Sequence, residues 1–307
     1  MIMFIQGNTQ MKETRAMPEK PPVRQSRTPA AKKSLGQNFL QDANIARKIV
    51  GLLEISGADR VMEIGPGPGA LTRHIHPQGP EKLVLVEKDD HWARHHAMSR
   101  EPAAPLHALA SAREQDFAAL LAGPEQFLVL EADALKIPWH TLSGRWKLVG
   151  NLPYNVASPL MWDIFSRAGG LERAVFMVQK EVGQRLAARP GTPAYGALSV
   201  WVQSFVTPVM EFIVPPQVFH PRPKVHSAVL SFVPLENLPD FHPEKLAGII
   251  KQCFQLRRKQ LGTIFKGDLS MLDSLKKNAI DNALRPENLA PQQFQSLARA
   301  SFFQRKD

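Results

Sequence analysis

The chain has 307 residues, a net charge of +10, 44% hydrophobic and 21% charged residues, which gives room for one large domain and a smaller one with an ordinary buried core. Its single cysteine, Cys253, excludes an intrachain disulfide and a thiolate metal cluster, and fits a reducing, cytoplasmic-type compartment. No apolar run approaches the about 20 residues of a membrane span, and Met1 to Ile5 is too short an apolar start for a secretory signal.

The charge is unevenly placed. Residues 1–33 carry seven Lys/Arg against two acids, and residues 241–307 carry twelve against six, whereas 34–240 has 19 basic and 20 acidic residues. A nearly neutral body with basic ends suggests a polyanion such as nucleic acid, gripped outside the body. A basic tail joined to an ordinary helical domain would give the same numbers. Residues 1–33, with Pro18, Pro21, Pro22 and Pro29 and few large apolar side chains, read as a flexible basic extension. Met11 and Met17 offer alternative start points within it.

From Lys32 to Leu40 a polar loop leads into a helical pattern with Ile45, Ile49, Leu52 and Leu53 on one side, closed by Gly57. Strands and helices then alternate. Val61–Ile64 runs into Gly65-Pro66-Gly67-Pro68-Gly69, Lys82–Val86 into Glu87, Phe127–Leu130 into Asp133, and Trp146–Val149 into Asn151; Ala174–Val178 is a fifth strand. Val209–Val214 and Ala228–Val233 follow without a clear helix between them. This pattern predicts an α/β fold with a doubly wound, mostly parallel sheet and one antiparallel strand at its edge. The Ala-rich stretch from Arg94 to Gln126 reads as a surface insertion or extended helix. Beyond a linker at Leu235–Pro243 only helical patterns remain, Leu246–Phe254, Leu261–Phe265, Leu272–Ala283 and Pro291–Phe303, and this helical domain carries Arg257-Arg258-Lys259 in mid-helix. Three parts result: 1–33 as extension, 34–234 as the sheet domain, and 235–307 as a small all-helical domain.

Ligands of such sheets bind at the carboxyl ends of the strands, where the chemistry-bearing residues fall. The glycine turn after the first long strand permits close backbone approach to a ligand. Glu87, 22 residues after Gly65, stands where a carboxylate accepts both hydroxyls of a ribose. No Lys-Ser/Thr follows the turn, and its prolines remove N–H donors that a pyrophosphate needs. A nucleoside cofactor without phosphate, S-adenosylmethionine, fits better. Asp133 can read an adenine amino group or cap a helix.

Asn151-Leu152-Pro153-Tyr154 has a bland reading as a loop in which Pro153 ends a strand. With an adenine as acceptor it has a chemical one. The exocyclic nitrogen is a weak nucleophile, because its lone pair is delocalised into the ring. The Asn151 side-chain oxygen and a backbone carbonyl near Pro153 can each accept one N–H and keep that nitrogen electron-rich, while Tyr154 offers a stacking face. Phe219, in Phe219-His220-Pro221-Arg222-Pro223, is either a second stacking wall or a core aromatic beside a turn. His220 and the His95-His96 pair lack partners at metal-ligand spacing, so no metal is expected.

Ser34–Leu40, Glu63–Thr72, Glu87, Asp133-Ala134, Asn151–Asn155 and Phe219–Leu230, in this order, resemble the small-subunit ribosomal RNA adenine dimethyltransferase family from about Lys33 to the C-terminal helices. The resemblance implies a Rossmann-like methyltransferase domain and a helical domain that helps seat it on the small ribosomal subunit. It implies four methyl transfers to two adjacent adenosines in the 3′-terminal hairpin loop of 16S ribosomal RNA, within an immature 30S particle. It also implies that Gln37, Asn38, Leu40, Gly65, Glu87, Asp133 and Asn151 meet S-adenosylmethionine, and that Asn151, Pro153, Tyr154 and Phe219 form the target-base site. The N-terminal extension, Pro68 and the 94–126 stretch depart from the family's pattern. A related large-subunit RNA methyltransferase and a non-catalytic nucleic-acid-binding relative are the competing readings, and nothing in the sequence demands more than a monomer.

Overall fold

The computed structural model of the protein describes residues 37–99, 103–108, 114–153 and 156–299. The expected extension over 1–33, Tyr154, Asn155 and the end of the last expected helix lie outside them. In chain order the described residues form β1 (Phe39–Leu40), α1 (Ala43–Gly51), β2 (Arg60–Ile64), α2 (Thr72–Ile75), β3 (Lys82–Glu87), α3 (Asp90–Met98), β4 (Leu106–Ala108), α4 (Glu114–Ala122), β5 (Phe127–Glu131) and β6 (Trp146–Asn151). Then come α5 (Ala157–Arg167), β7 (Leu171–Gln179), α6 (Lys180–Leu186), α7 (Ala197–Gln203), β8 (Val206–Val214), β9 (Phe219–His220), β10 (Ser227–Pro234), and the helices α8 (Pro243–Gln255), α9 (Leu261–Ile264), α10 (Leu269–Lys277) and α11 (Pro291–Ala298).

Eight strands make one sheet in the order β4-β5-β3-β2-β6-β7-β10-β8. Every pair from β4 to β7 is parallel, and β10 runs antiparallel to both neighbours. The central strands are near-continuous apolar runs because both faces of the sheet are covered. One hydrophobic cluster, around Leu148, Trp146, Phe176 and Phe232, fills the face under α5 and α7. A second, around Leu85, Val129, Ile49 and Ile75, fills the face under α1, α2 and α3.

Two expectations are corrected here. The antiparallel strand is not at the edge: β10 inserts between β7 and β8, and β8 takes the edge. The 94–126 stretch is not one insertion, since it contains the end of α3, the edge strand β4 parallel to β5, and α4. The buried Lys82 Nζ donates to the carbonyls of Leu121 (2.8 Å) and Gly123 (2.7 Å), which gives the C-terminal end of α4 its cation.

After β10 the chain stays tied to the sheet layer. Leu235 N–H donates to Phe205 O, and Phe241 packs on Phe205 with ring centroids 5.5 Å apart. Further on, Gln295 Nε2 donates to Ser204 O at 2.7 Å and the Tyr195 hydroxyl donates to Leu289 O at 2.8 Å. The apolar faces of α8 and α11 thereby join the α5–α7 cluster, and all described residues belong to one compact unit, Ala31–Asp307. Arg257-Arg258-Lys259 is not mid-helix, because α8 ends at Gln255 and the run stands in the following turn. There Arg257 pairs with Glu287 at 2.6 Å and donates to Pro193 O. The expected 272–283 helix begins earlier, capped by the Asp268 side chain, and stops at Lys277 before Ala279 turns at φ +53°.

Candidate functional site

A cleft opens at the carboxyl ends of β2, β3, β5 and β6, where the strand order leaves β2 in two directions. Gln37, Asn38, Gly65, Glu87, Asp133, Asn151 and Pro153 line it, so seven residues nominated from the sequence meet at one place. Close approach of β6 to β2 is part of the construction: a Cβ on Gly150 would lie 2.6 Å from Ile64 O.

The glycine turn is held from below. Glu87 is buried, and its Oε2 accepts the Gly67 N–H at 3.0 Å while Oε1 accepts the Asp89 N–H at 2.8 Å. Burial raises the Glu87 carboxyl above the usual carboxylate range, and these backbone N–H groups offset part of the rise. His96 Nε2 lies 2.8 Å from Gly67 O and donates to it, and burial lowers the His96 pKa, so the neutral ring with its proton on Nε2 fits. Deeper still, the Thr72 hydroxyl sits 2.7 Å from Glu63 Oε2, and burial with the nearby Glu87 charge pushes Glu63 up to about 8. Gly67 itself adopts φ +51°, and a Cβ there would meet Phe39 Cε1 at 2.9 Å. Gly67→Ala therefore strains the backbone by about 1–2 kcal/mol and displaces the Phe39 ring. We expect about tenfold weaker cofactor binding by calorimetry.

Across the cleft, Asp133 is already engaged. Its Oδ2 accepts from Lys88 Nζ at 2.8 Å and its Oδ1 from Leu135 N–H at 3.1 Å. Burial alone would raise this carboxyl, but the Lys88 and Leu135 bonds outweigh it and hold it below the usual range. Asp133 is thus a helix cap that also lines the cleft.

On β6 the Asn151 Nδ2 donates to Asn38 O at 2.8 Å. A carbonyl can only accept, so this bond settles which end of the amide is which and turns Oδ1 away as the acceptor. Of the backbone carbonyls near Pro153, that of Pro153 itself is engaged: it takes the N–H groups of both Val156 and Ala157, each at 3.1 Å, to start α5.

Leu40 and Phe219 stand apart from the cleft. Each is buried, and they face one another in the β1–β9 ladder within the α1–α3 cluster. The Phe219 ring is buried in this cluster and is not among the residues that line the cleft. Its ladder anchors the strand that carries Phe39, with Asn38 just before it. Phe39 itself packs edge-on against Trp92 at 5.6 Å and lines the cleft together with Lys88, Leu135, Val156 and Leu160, all missed in the sequence. Of these only Lys88, beside Glu87, had a local signal. Among the described residues no group of His, Cys, Asp and Glu is placed to hold a metal, and no helix is long and apolar enough to cross a membrane.

A left-handed glycine turn, a carboxylate at the end of the next strand and an open cleft above them fit a nucleoside cofactor and define a Rossmann-like S-adenosylmethionine-dependent methyltransferase. A family model described as "Ribosomal RNA adenine dimethylase" matches residues 29–301, and the chain belongs to that family. Over 279 residues it is 54% identical to the Ribosomal RNA small subunit methyltransferase A of Nitratidesulfovibrio vulgaris, covering 89% of this chain and 97% of that one. The protein of the same name from Oleidesulfovibrio alaskensis is 51% identical, with 90% and 92% covered. The crystal structure of a dimethyladenosine transferase from Plasmodium falciparum shares the fold with a TM-score of 0.68 at 24% identity, covering 84% of this chain and 95% of that one.

Proposed function

We propose that this protein dimethylates the exocyclic amines of two adjacent adenosines in the 3′-terminal hairpin loop of 16S ribosomal RNA, acting in the cytoplasm as a monomer on an immature 30S particle. The observation that carries the chemistry is the Asn151 amide, fixed by the Asn38 carbonyl with its oxygen as acceptor beside the glycine-turn cleft. In this reading residues 34–234 perform the transfer and residues 235–307 help seat the protein on the particle.

Gly65, Gly67, Glu87 and Asp133, with Gln37 and Asn38 closing over them, would hold S-adenosylmethionine, which when bound supplies an electrophilic methyl group. Glu87 keeps lone pairs free beside its two backbone bonds and can accept ribose hydroxyls. Asp133 accepts an adenine N–H alongside, or in place of, Lys88. Phe39, Leu152, Val156 and Leu160 exclude water from the space between. Asn151 Oδ1 accepts one N–H of the target amine. With the Pro153 carbonyl spent on α5, the Leu152 carbonyl is the backbone acceptor of the second. Tyr154 provides the stacking face. No strong base is required, because the amine proton becomes acidic as the nitrogen gains its new bond, and Oδ1 directs that proton outward. In-line positioning supplies much of the remaining rate.

The test is transfer of labelled methyl groups from S-adenosylmethionine to immature 30S subunits lacking the modification, with mapping of the modified bases. Dimethylation of two adjacent adenosines is expected. Transfer confined to large-subunit RNA, or cofactor binding with no transfer to either subunit, would overturn the reading.

A further inference from the structure

A second groove lies further along the same rim, lined by Gln179, Lys180, Gln184, Lys224, Val225 and His226. One wall is the end of β7 as it passes into α6; the other is the segment that enters β10. Lys180 N–H donates to His226 O at 3.0 Å and Gln179 pairs in register with Ser227, so the two walls are fixed to each other. The groove is also fixed to the catalytic loop. Asn151 registers with Met177 on β7, and Leu152 N–H donates to Met177 O at 3.0 Å. Gln179 is two residues further along that strand, which places the groove roughly 8–12 Å from Asn151 by strand spacing and rise. That is the reach of a nucleotide flanking the one held at Asn151.

Its chemistry is distinct from the body around it. Residues 34–240 are nearly neutral, with 19 basic and 20 acidic side chains. The groove's acid, Glu181, is paired with Arg185. Lys180 and Lys224 are exposed, and neither has a carboxylate partner among the described residues. Between them lie two side-chain amides and an imidazole, which offer donors and acceptors to a base edge. Val225, 44% exposed, offers an apolar contact. The loop that follows Phe219 faces solvent through Lys224 and Val225.

We propose that this groove binds the RNA strand next to the methylated adenosine, with Lys180 and Lys224 on backbone phosphates and Gln179, Gln184 and His226 against the adjoining base. The inference rests on the reading above that an RNA adenine is presented at Asn151. Its test reads RNA binding and does not depend on methyl transfer. A single-stranded RNA loop with two adjacent adenosines is titrated against wild type and the Lys180→Ala/Lys224→Ala variant by fluorescence anisotropy over a series of KCl concentrations. The variant should bind about tenfold more weakly near physiological salt. Its log–log salt slope should be shallower by about 1.4, two single-strand phosphate contacts. The Lys180→Arg/Lys224→Arg variant should restore both values, and calorimetry without RNA should show unchanged S-adenosylmethionine binding in all three proteins. Unchanged affinity and slope in the alanine variant would overturn the groove assignment, as would loss of cofactor binding in parallel with RNA binding. Wild type that binds the RNA but methylates no small-subunit RNA would instead sink the proposed activity and leave the groove standing.

Discussion

Replacing Asn151 with alanine is expected to lower the single-turnover rate of methyl transfer by about 10²–10³-fold, the range for loss of one preorganised polar contact to a reacting centre. The fold should survive, because Asn151 is half-buried at the end of β6 and gives up one hydrogen bond, about 1 kcal/mol. Asn151→Asp separates two accounts of the loss. Aspartate keeps an acceptor oxygen where Oδ1 stands, but it cannot donate to Asn38 O, and a carboxylate set against that carbonyl is repelled. If the amide acts only as an acceptor, the aspartate variant retains activity. If the Asn38 bond is what aims Oδ1, as the 2.8 Å contact indicates, aspartate falls nearly as far as alanine. Labelled-methyl transfer under single-turnover conditions reads both, and an alanine variant within tenfold of wild type would remove Asn151 from the mechanism.

The parts of this site legible in the sequence share one property: each is local to a strand end. β2, β3, β5 and β6 are buried on both faces, so they are written as short apolar runs, and the residue after each run must lie on the rim. Gly65, Glu87, Asp133 and Asn151 follow from that alone. What was illegible depends on partners far apart in the chain. β10 reads as a strand, but its insertion between β7 and β8 is decided by pairing with both, and no local pattern encodes it. Phe219 reads equally as a stacking ring or a core ring, and its burial follows from pairing with Leu40, some 180 residues earlier, which no local pattern encodes. The engagement of Asp133 by Lys88, and of Gly67 by His96, likewise joins residues 45 and 29 apart. Arg257-Arg258-Lys259 has helix-compatible residues and no Gly or Pro to break it, yet α8 ends at Gln255 and Gln260 caps a new helix, which leaves the basic run in a turn. The Pro153 carbonyl shows the same limit at short range, since a strand-terminating proline was visible but its use in starting α5 was not.

Glu63 should make the protein's stability fall with rising pH in a window where ordinary carboxylates contribute nothing. Burial and the nearby Glu87 charge, only partly offset by the Thr72 hydrogen bond, push its carboxyl up to about 8, from 4.5 in an unfolded chain. The folded state therefore holds a proton that the unfolded state has released. This contribution is complete below about pH 4.5 and is lost as pH rises through about 8, with a slope of up to about 1.4 kcal/mol per pH unit in between. Glu63→Gln keeps the size and a carbonyl for the Thr72 hydroxyl, but it has no proton to lose. The melting temperature of the variant relative to wild type should climb from pH 6 to about 8 and level off above that. Parallel curves across the window would show that Glu63 ionises like an exposed acid. The same proton bears on the site above it. While Glu63 stays neutral, Glu87 is the one negative charge of the pair, free to accept ribose hydroxyls without a second carboxylate beneath it. Above about pH 8 two buried like charges compete, and S-adenosylmethionine affinity should weaken in wild type while holding steady in Glu63→Gln.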